Sequence, residues 1–412
     1  MLALARKLLL ILFLPVALLA ISPIKINEPM ALLLAVILSF LIMLTFLVGF
    51  YSYNTKKSVR TSYSIKRNSI SNNKVILLAL SSVFFSVYAS YFYTGSIFEG
   101  YFNILYSESS SYENYQKHFS ENELYTFSLS KIMPIISLAM VKFNFYYVIY
   151  HQYFVAKLKR YFFIIGISLL SFLHMSFSRG TSFELFEILF YFIFVLIIKN
   201  YFEEKRLKFP LIKIILIGIA FLSLYYINIE LRYVASGGYS PGCHNALCYD
   251  ENSYIVAVSE TLSILLFKLS GYFNFGLMYI GQLLQFHILE SPLLLLTPFS
   301  AYFSGNSISV FCEDGTLSCG AMWTPSLVFY IYYLGLPILF LFIYVVGRTF
   351  SFLFSKFSSR FLFTYFIILY YLFLFIFSLP VGHLFSISSS NKILFVIFSL
   401  LIILRLIPKH ER

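Results

Sequence analysis

Charge is what this 412-residue chain has least of: only 12% of its residues are Asp, Glu, Lys or Arg, about half the fraction of an ordinary soluble protein. That excludes a water-soluble globular enzyme. Aspartate is scarcer still, with Asp250 and Asp314 alone, so no paired-Asp metal site for a sugar nucleotide is available. Carboxylate chemistry has to come from glutamate. There is no phosphate-cradling glycine loop, no His-Glu-x-x-His and no nucleophile elbow. No metal-ligand cluster and no cofactor motif is seen, and none is expected.

What the chain has instead is apolar length. Hydrophobic residues make up 59% of it and the mean hydropathy is +0.82. The runs approach the roughly 20 helical residues that cross a hydrocarbon layer. The fold class is all-α, a polytopic membrane protein of about ten transmembrane helices forming one transmembrane domain over residues 1–412. The spans read as Leu8 to Ile24, Met30 to Tyr51, Val75 to Thr94, Phe143 to Ala156 (the faintest), Tyr161 to Phe177, Phe183 to Ile198, Leu211 to Ile229, Ser326 to Val346, Phe361 to Leu379 and Ile393 to Ile407.

Ten spans put both termini on one side, and the loops on that side carry 22 of the 30 basic residues but only three of the 18 acids, Glu203, Glu204 and Glu411. By the positive-inside rule this face is cytoplasmic. The net charge of +12 is thus a matter of sidedness. No compact basic domain exists to hold a nucleic acid. The N-terminal Arg6, Lys7 and apolar run also fit the start of a secretory signal peptide, but no clean small-residue cleavage site follows Ala20, so the segment is read as an uncleaved anchor.

All four cysteines fall in outer loops: Cys243, Cys248, Cys312 and Cys319. On an oxidising face the short spacings favour Cys243 to Cys248 and Cys312 to Cys319, although crossed pairs satisfy the sequence equally, and a four-cysteine zinc site is the sharper alternative. Two outer segments are too long for simple turns. The first covers residues 95–131 and the second 230–325. Within the second, Tyr254 to Leu296 reads as one or two interfacial helices lying on, or dipping into, the membrane surface.

The segment His174-Met-Ser-Phe-Ser-Arg179-Gly-Thr-Ser-Phe-Glu184-Leu-Phe-Glu187 turns one span into the next at the outer surface. Thr181 followed three residues later by Glu184 has the pattern of a capping box. An outward helix N-terminus beside an arginine makes an anion site, suited to a lipid phosphate or pyrophosphate. Glu187 lies one turn below Glu184, where an ionised carboxylate needs a partner, and Arg179 is one candidate for it. His174 reads as a packed hydrogen-bonding group. Glu230 and Arg232 form a second charged pair at the end of a span, and Lys268 sits on the amphipathic stretch.

The chain resembles the Wzy-type O-antigen or oligosaccharide repeat-unit polymerases of bacterial inner membranes. The likeness is carried by Ser178-Arg179-Gly180 and the helix running to Lys199, by the basic segment Lys205 to Lys213 leading to Arg232, and by Met322-Trp323-Thr324-Pro325 ahead of Tyr333-Leu-Gly335-Leu-Pro337. In that last stretch Tyr333 stands where the family has Asp and Pro337 where it has a second Gly. The resemblance implies an enzyme that joins glycan repeat units on undecaprenyl pyrophosphate at the periplasmic face. Its partners would be that lipid-linked glycan, membrane lipids, a chain-length regulator and a flippase. Arg179, Arg232 and Lys268 would meet the pyrophosphate. Glu184, Glu187 and Glu230 are the candidate catalytic bases. A lipid-linked glycan ligase using His244 or His287, or a lipid-linked oligosaccharide flippase, are the alternatives.

Overall fold

The computed structural model describes residues 13–53, 72–97, 111–122, 128–155, 161–202, 211–233, 241–244, 246–290, 295–296, 325–360, 362–381 and 388–406. They form thirteen helices, and eight are long and apolar enough to cross a membrane. The protein is an all-α polytopic membrane protein. It divides into two compact units, residues 1–58, 240–359 and 371–386 in one, and 59–239, 360–370 and 387–412 in the other.

The first unit begins with α1 (Leu14–Ile21), which stops at Ser22-Pro23 and gives way to the strand β1 (Ile24–Ile26). The span expected from Leu8 to Ile24 is thus, over its described part, an eight-residue helix ending in a strand. β1 pairs antiparallel with β3 (Leu247–Tyr249), which pairs with β2 (Cys243–His244). Ala246 turns the hairpin with a left-handed φ of +62°. Leu247 is buried against Ala31, Phe275 and Met278.

Helix α2 (Pro29–Ser52) runs parallel to α11 (Ser326–Arg360), with Phe46 and Phe50 against Phe350 and Tyr53 against Phe352, and the two backbones meet at a pair of glycines. A Cβ on Gly49 would stand 2.1 Å from the Tyr344 carbonyl oxygen, and one on Gly347 equally close to that of Phe46. Small residues at such crossings let membrane helices pack by van der Waals contact, the main attraction left where lipid is as apolar as leucine. α11 breaks at Gly335, with φ +67°, two residues before Pro337. The stretch Tyr333 to Pro337 is therefore a kink, since Pro337 offers no N–H and clashes with the carbonyl one turn back.

The stretch Tyr254 to Leu296 contains α9 (Tyr254–Val258) and one 31-residue helix, α10 (Glu260–Glu290). By length and composition α10 qualifies as a span. Its middle nevertheless touches helix ends: Gly276 lies against the backbone of Pro380 and Val381 where α12 (Phe363–Val381) finishes, and Gly281 against Ala31 where α2 starts.

The second unit holds α3 (Asn72–Thr94), α4 (Ser111–Glu121), α5 (Ile132–Tyr150), α6 (Tyr161–Arg179), α7 (Phe183–Phe202), α8 (Leu211–Tyr233), the start of α12 and α13 (Ser389–Leu406). Ser82, Ser86 and Ser90 make a buried stripe on α3. Ser82 and Ser86 bond to Ser171 of α6 through its hydroxyl and its carbonyl. The faint span near Phe143 is in fact 27 residues, Leu129–Val155, continuing from a 3-10 turn through α5 to a π turn at His151–Val155. It looked short because Lys131 and Lys142 interrupt the apolar run, yet both are buried.

Candidate functional site

Helix α6 ends in a Schellman motif. Gly180 adopts φ +60°, its N–H bonds to the Phe177 carbonyl at 3.2 Å, and the Thr181 N–H reaches back to Ser176 at 3.0 Å. A glycine is needed twice over at this position. Besides the left-handed φ, a Cβ there would stand 2.9 Å from the backbone nitrogen of Tyr112 in α4, which packs against the turn.

This cap sets Arg179 at the very end of α6, where its guanidinium is enclosed. Its Nε donates to the Met175 carbonyl at 3.0 Å and its Nη2 to a carboxylate oxygen of Glu184. The Tyr93 and Tyr115 ring centroids lie 5.7 and 5.9 Å away, and the guanidinium acts electrostatically on the Tyr115 hydroxyl. Burial pushes that hydroxyl above its ordinary pKa of 10.0, with the guanidinium pulling in the opposite direction. The arginine side chain is 12% exposed and Glu184 only 2%.

The expected capping box takes another form. Helix α7 starts at Phe183, so Ser182 is the residue before it, and Thr181 donates its hydroxyl to the second Glu184 oxygen at 2.8 Å. Ser182 in turn accepts a bond from Asn228 of α8. Glu184 is thereby spent on Arg179 and Thr181 rather than on the helix cap.

Glu187 does not pair with Arg179. Its partner is Lys142 of α5, 2.7 Å away, in a bridge whose side chains are 2% and 0% exposed. Tyr146 donates to the other carboxylate oxygen, and Tyr370 to the Glu187 carbonyl. Lys142 also donates to Asn391 Oδ1 at 3.0 Å and Ser388 Oγ at 3.3 Å, both at the start of α13. Phe183 lies beneath the ammonium at 4.9 Å. All three ammonium protons and both carboxylate oxygens have partners, which is what a buried ion pair requires. Sequence reading left Lys142 out of the candidate set. A charged residue ten positions into an apolar run was the available signal, because such a residue is retained only with a partner.

Glu230 is exposed on α8, one turn after Tyr226. Helix α8 continues through Arg232, whose side chain is outside the described residues, as are those of His244 and His287. Lys268 is half-buried on α10, in the first unit. Half-buried His174 sits in α6, one turn before Ser178. Cys243 and Cys248 face each other across β2 and β3 and form a disulfide; Cys312 and Cys319 lie outside the described residues.

No protein-family model matches the chain, and no curated protein or solved structure matches it either. What fold and site define is a class, a multi-pass membrane protein with two ion pairs on one helix.

Proposed function

We propose that this protein is a glycosyltransferase that polymerises undecaprenyl-pyrophosphate-linked repeat units into O-antigen or a related surface polysaccharide at the periplasmic face of a bacterial inner membrane. The observation that carries the reading is the Arg179 guanidinium, held at a helix turn by a carboxylate and two tyrosine rings. The resemblance to Wzy-type polymerases in Ser178-Arg179-Gly180 supports it.

In this scheme the acceptor sugar hydroxyl attacks the anomeric carbon of the growing chain. A glycosidic C–O bond forms, the C–O bond to the diphosphate breaks, and the polyprenyl diphosphate leaves with its electron pair. Arg179 neutralises charge developing on that leaving group, with Arg232 as a further phosphate contact. When Arg179 turns to the diphosphate it releases Glu184, which takes the hydroxyl proton. Glu230 is the alternative base. Glu187, with both oxygens committed to Lys142 and Tyr146, is the least available of the three carboxylates.

The test is the glycan ladder of a strain lacking this gene. Loss of long chains with survival of a core bearing one repeat unit supports polymerisation. Loss of even that unit overturns it in favour of the ligase or the flippase, which differ in whether polymer accumulates on its lipid carrier.

A further inference from the structure

The two ion pairs are neighbours. Glu184 and Glu187 stand three residues apart on the first turns of α7, and Phe183 beside Glu184 touches the Lys142 ammonium. Two cations and two carboxylates thus form one neutral cluster at the start of a single helix. Lys142 comes from α5, Arg179 from the end of α6, and the Lys142 contacts extend to Ser388 and Asn391 of α13.

We infer that Lys142 is a positioning residue for the Arg179 site, acting through Glu187 and the first turn of α7. This rests on the reading of Arg179 as a diphosphate ligand. The argument is one of geometry. Glu184 can hold the guanidinium, and let it go to an anion, only if α7 keeps its rotation and height when the Arg179 contact opens. The capping residues cannot ensure this, because Ser176, Gly180 and Thr181 belong to the same turn that has to rearrange. Lys142 grips the helix one turn further in, from a different helix, and ties the same point to α13. Its second effect is electrostatic. A diphosphate arriving at Arg179 meets a cluster whose charges already cancel, and the ammonium behind Arg179 offsets the carboxylate that Arg179 gives up.

Replacing both members of the buried pair with methionine removes the clamp without leaving an unpaired charge, a change that folded proteins tolerate. The experiment measures binding of inorganic pyrophosphate to the purified full-length chain in lipid nanodiscs, alongside thermal unfolding, for wild type, Arg179→Ala, Lys142→Met/Glu187→Met and Ser388→Ala/Asn391→Ala. The last variant keeps the ion pair and frees it from α13, so it decides the matter if the methionine pair does not fold. The expected result is Arg179-dependent binding that weakens roughly tenfold in the methionine pair and by a smaller factor in the α13 variant, with melting temperatures close to wild type. Wild-type affinity in these folded variants overturns the positioning role and leaves the Arg179 reading intact. Binding that is absent, or unaffected by Arg179→Ala, overturns the Arg179 reading and the positioning role with it.

Discussion

Glu184 and Glu187 are one turn apart on the same helix yet hold different cations, Arg179 at the helix turn and Lys142 from a separate helix. The first pair is 12% exposed on its arginine side, and in the proposed reaction it opens to the diphosphate. The second is sealed, with every donor and acceptor used inside the protein. The same side chain chemistry therefore serves two ends, one exchangeable and one fixed.

For the exchangeable pair, Arg179→Ala is expected to abolish long-chain glycan while the protein remains in the membrane. Arg179→Lys keeps the charge but loses the planar fork that bonds two oxygens at once, so it should restore only part of the ladder. Gel profiles of glycan together with immunoblots of membrane fractions check both. Wild-type chain lengths in Arg179→Ala would remove the arginine from the mechanism.

For the sealed pair, Lys142→Met or Glu187→Leu alone leaves a buried charge without its counterion and should cost about 3–5 kcal/mol. The methionine double variant should recover most of that loss. Thermal unfolding in detergent reads the difference, and additive single and double effects would show that the two residues do not interact.

Gly180→Ala tests the helix cap. The left-handed φ alone costs about 1 kcal/mol for alanine, and the added Cβ has to displace α4 at Tyr112. Faster proteolysis within Ser111–Glu121 is the expected signature, and unchanged cleavage would mean that α4 does not rest on this turn.

Cys243→Ser should lower stability by about 2 kcal/mol, a modest figure because the loop closed by this bond is short. In the wild type, maleimide should modify Cys243 and Cys248 only after reduction. Labelling without reductant would contradict the bond.

A fifth test concerns helix packing. Gly49→Leu places a side chain where the Tyr344 carbonyl stands, and the two helices have to separate. A loss of about 3 kcal/mol or more, seen as reduced accumulation and a lower melting temperature, is expected from such overpacking.

The helices were legible because apolar length is a strong signal, and the turn at Arg179-Gly180 was legible because glycine after a basic residue is how many helices end. The Cys243–Cys248 disulfide is the pairing that the short spacing favoured. The pairing of Lys142 was missed because hydropathy treats a lysine as a boundary, whereas this one reaches a carboxylate 45 positions away that the sequence does not announce. The strands were missed for a related reason. Ile24–Ile26 is three residues long and exists only because Leu247–Tyr249 lies beside it. Short elements whose stability comes from distant partners carry no local pattern of their own.

That pairing has a consequence for how the chain is made. Lys25 emerges from the ribosome more than 200 residues before Cys248, the residue it faces in the sheet. At about 5–20 residues per second, synthesis leaves the first strand waiting for roughly ten to forty seconds, while residues 59–239, all of one unit, are completed in between. The second unit has most of its chain in hand first, and the first strand stays without its sheet partner until Leu247–Tyr249 has been translated.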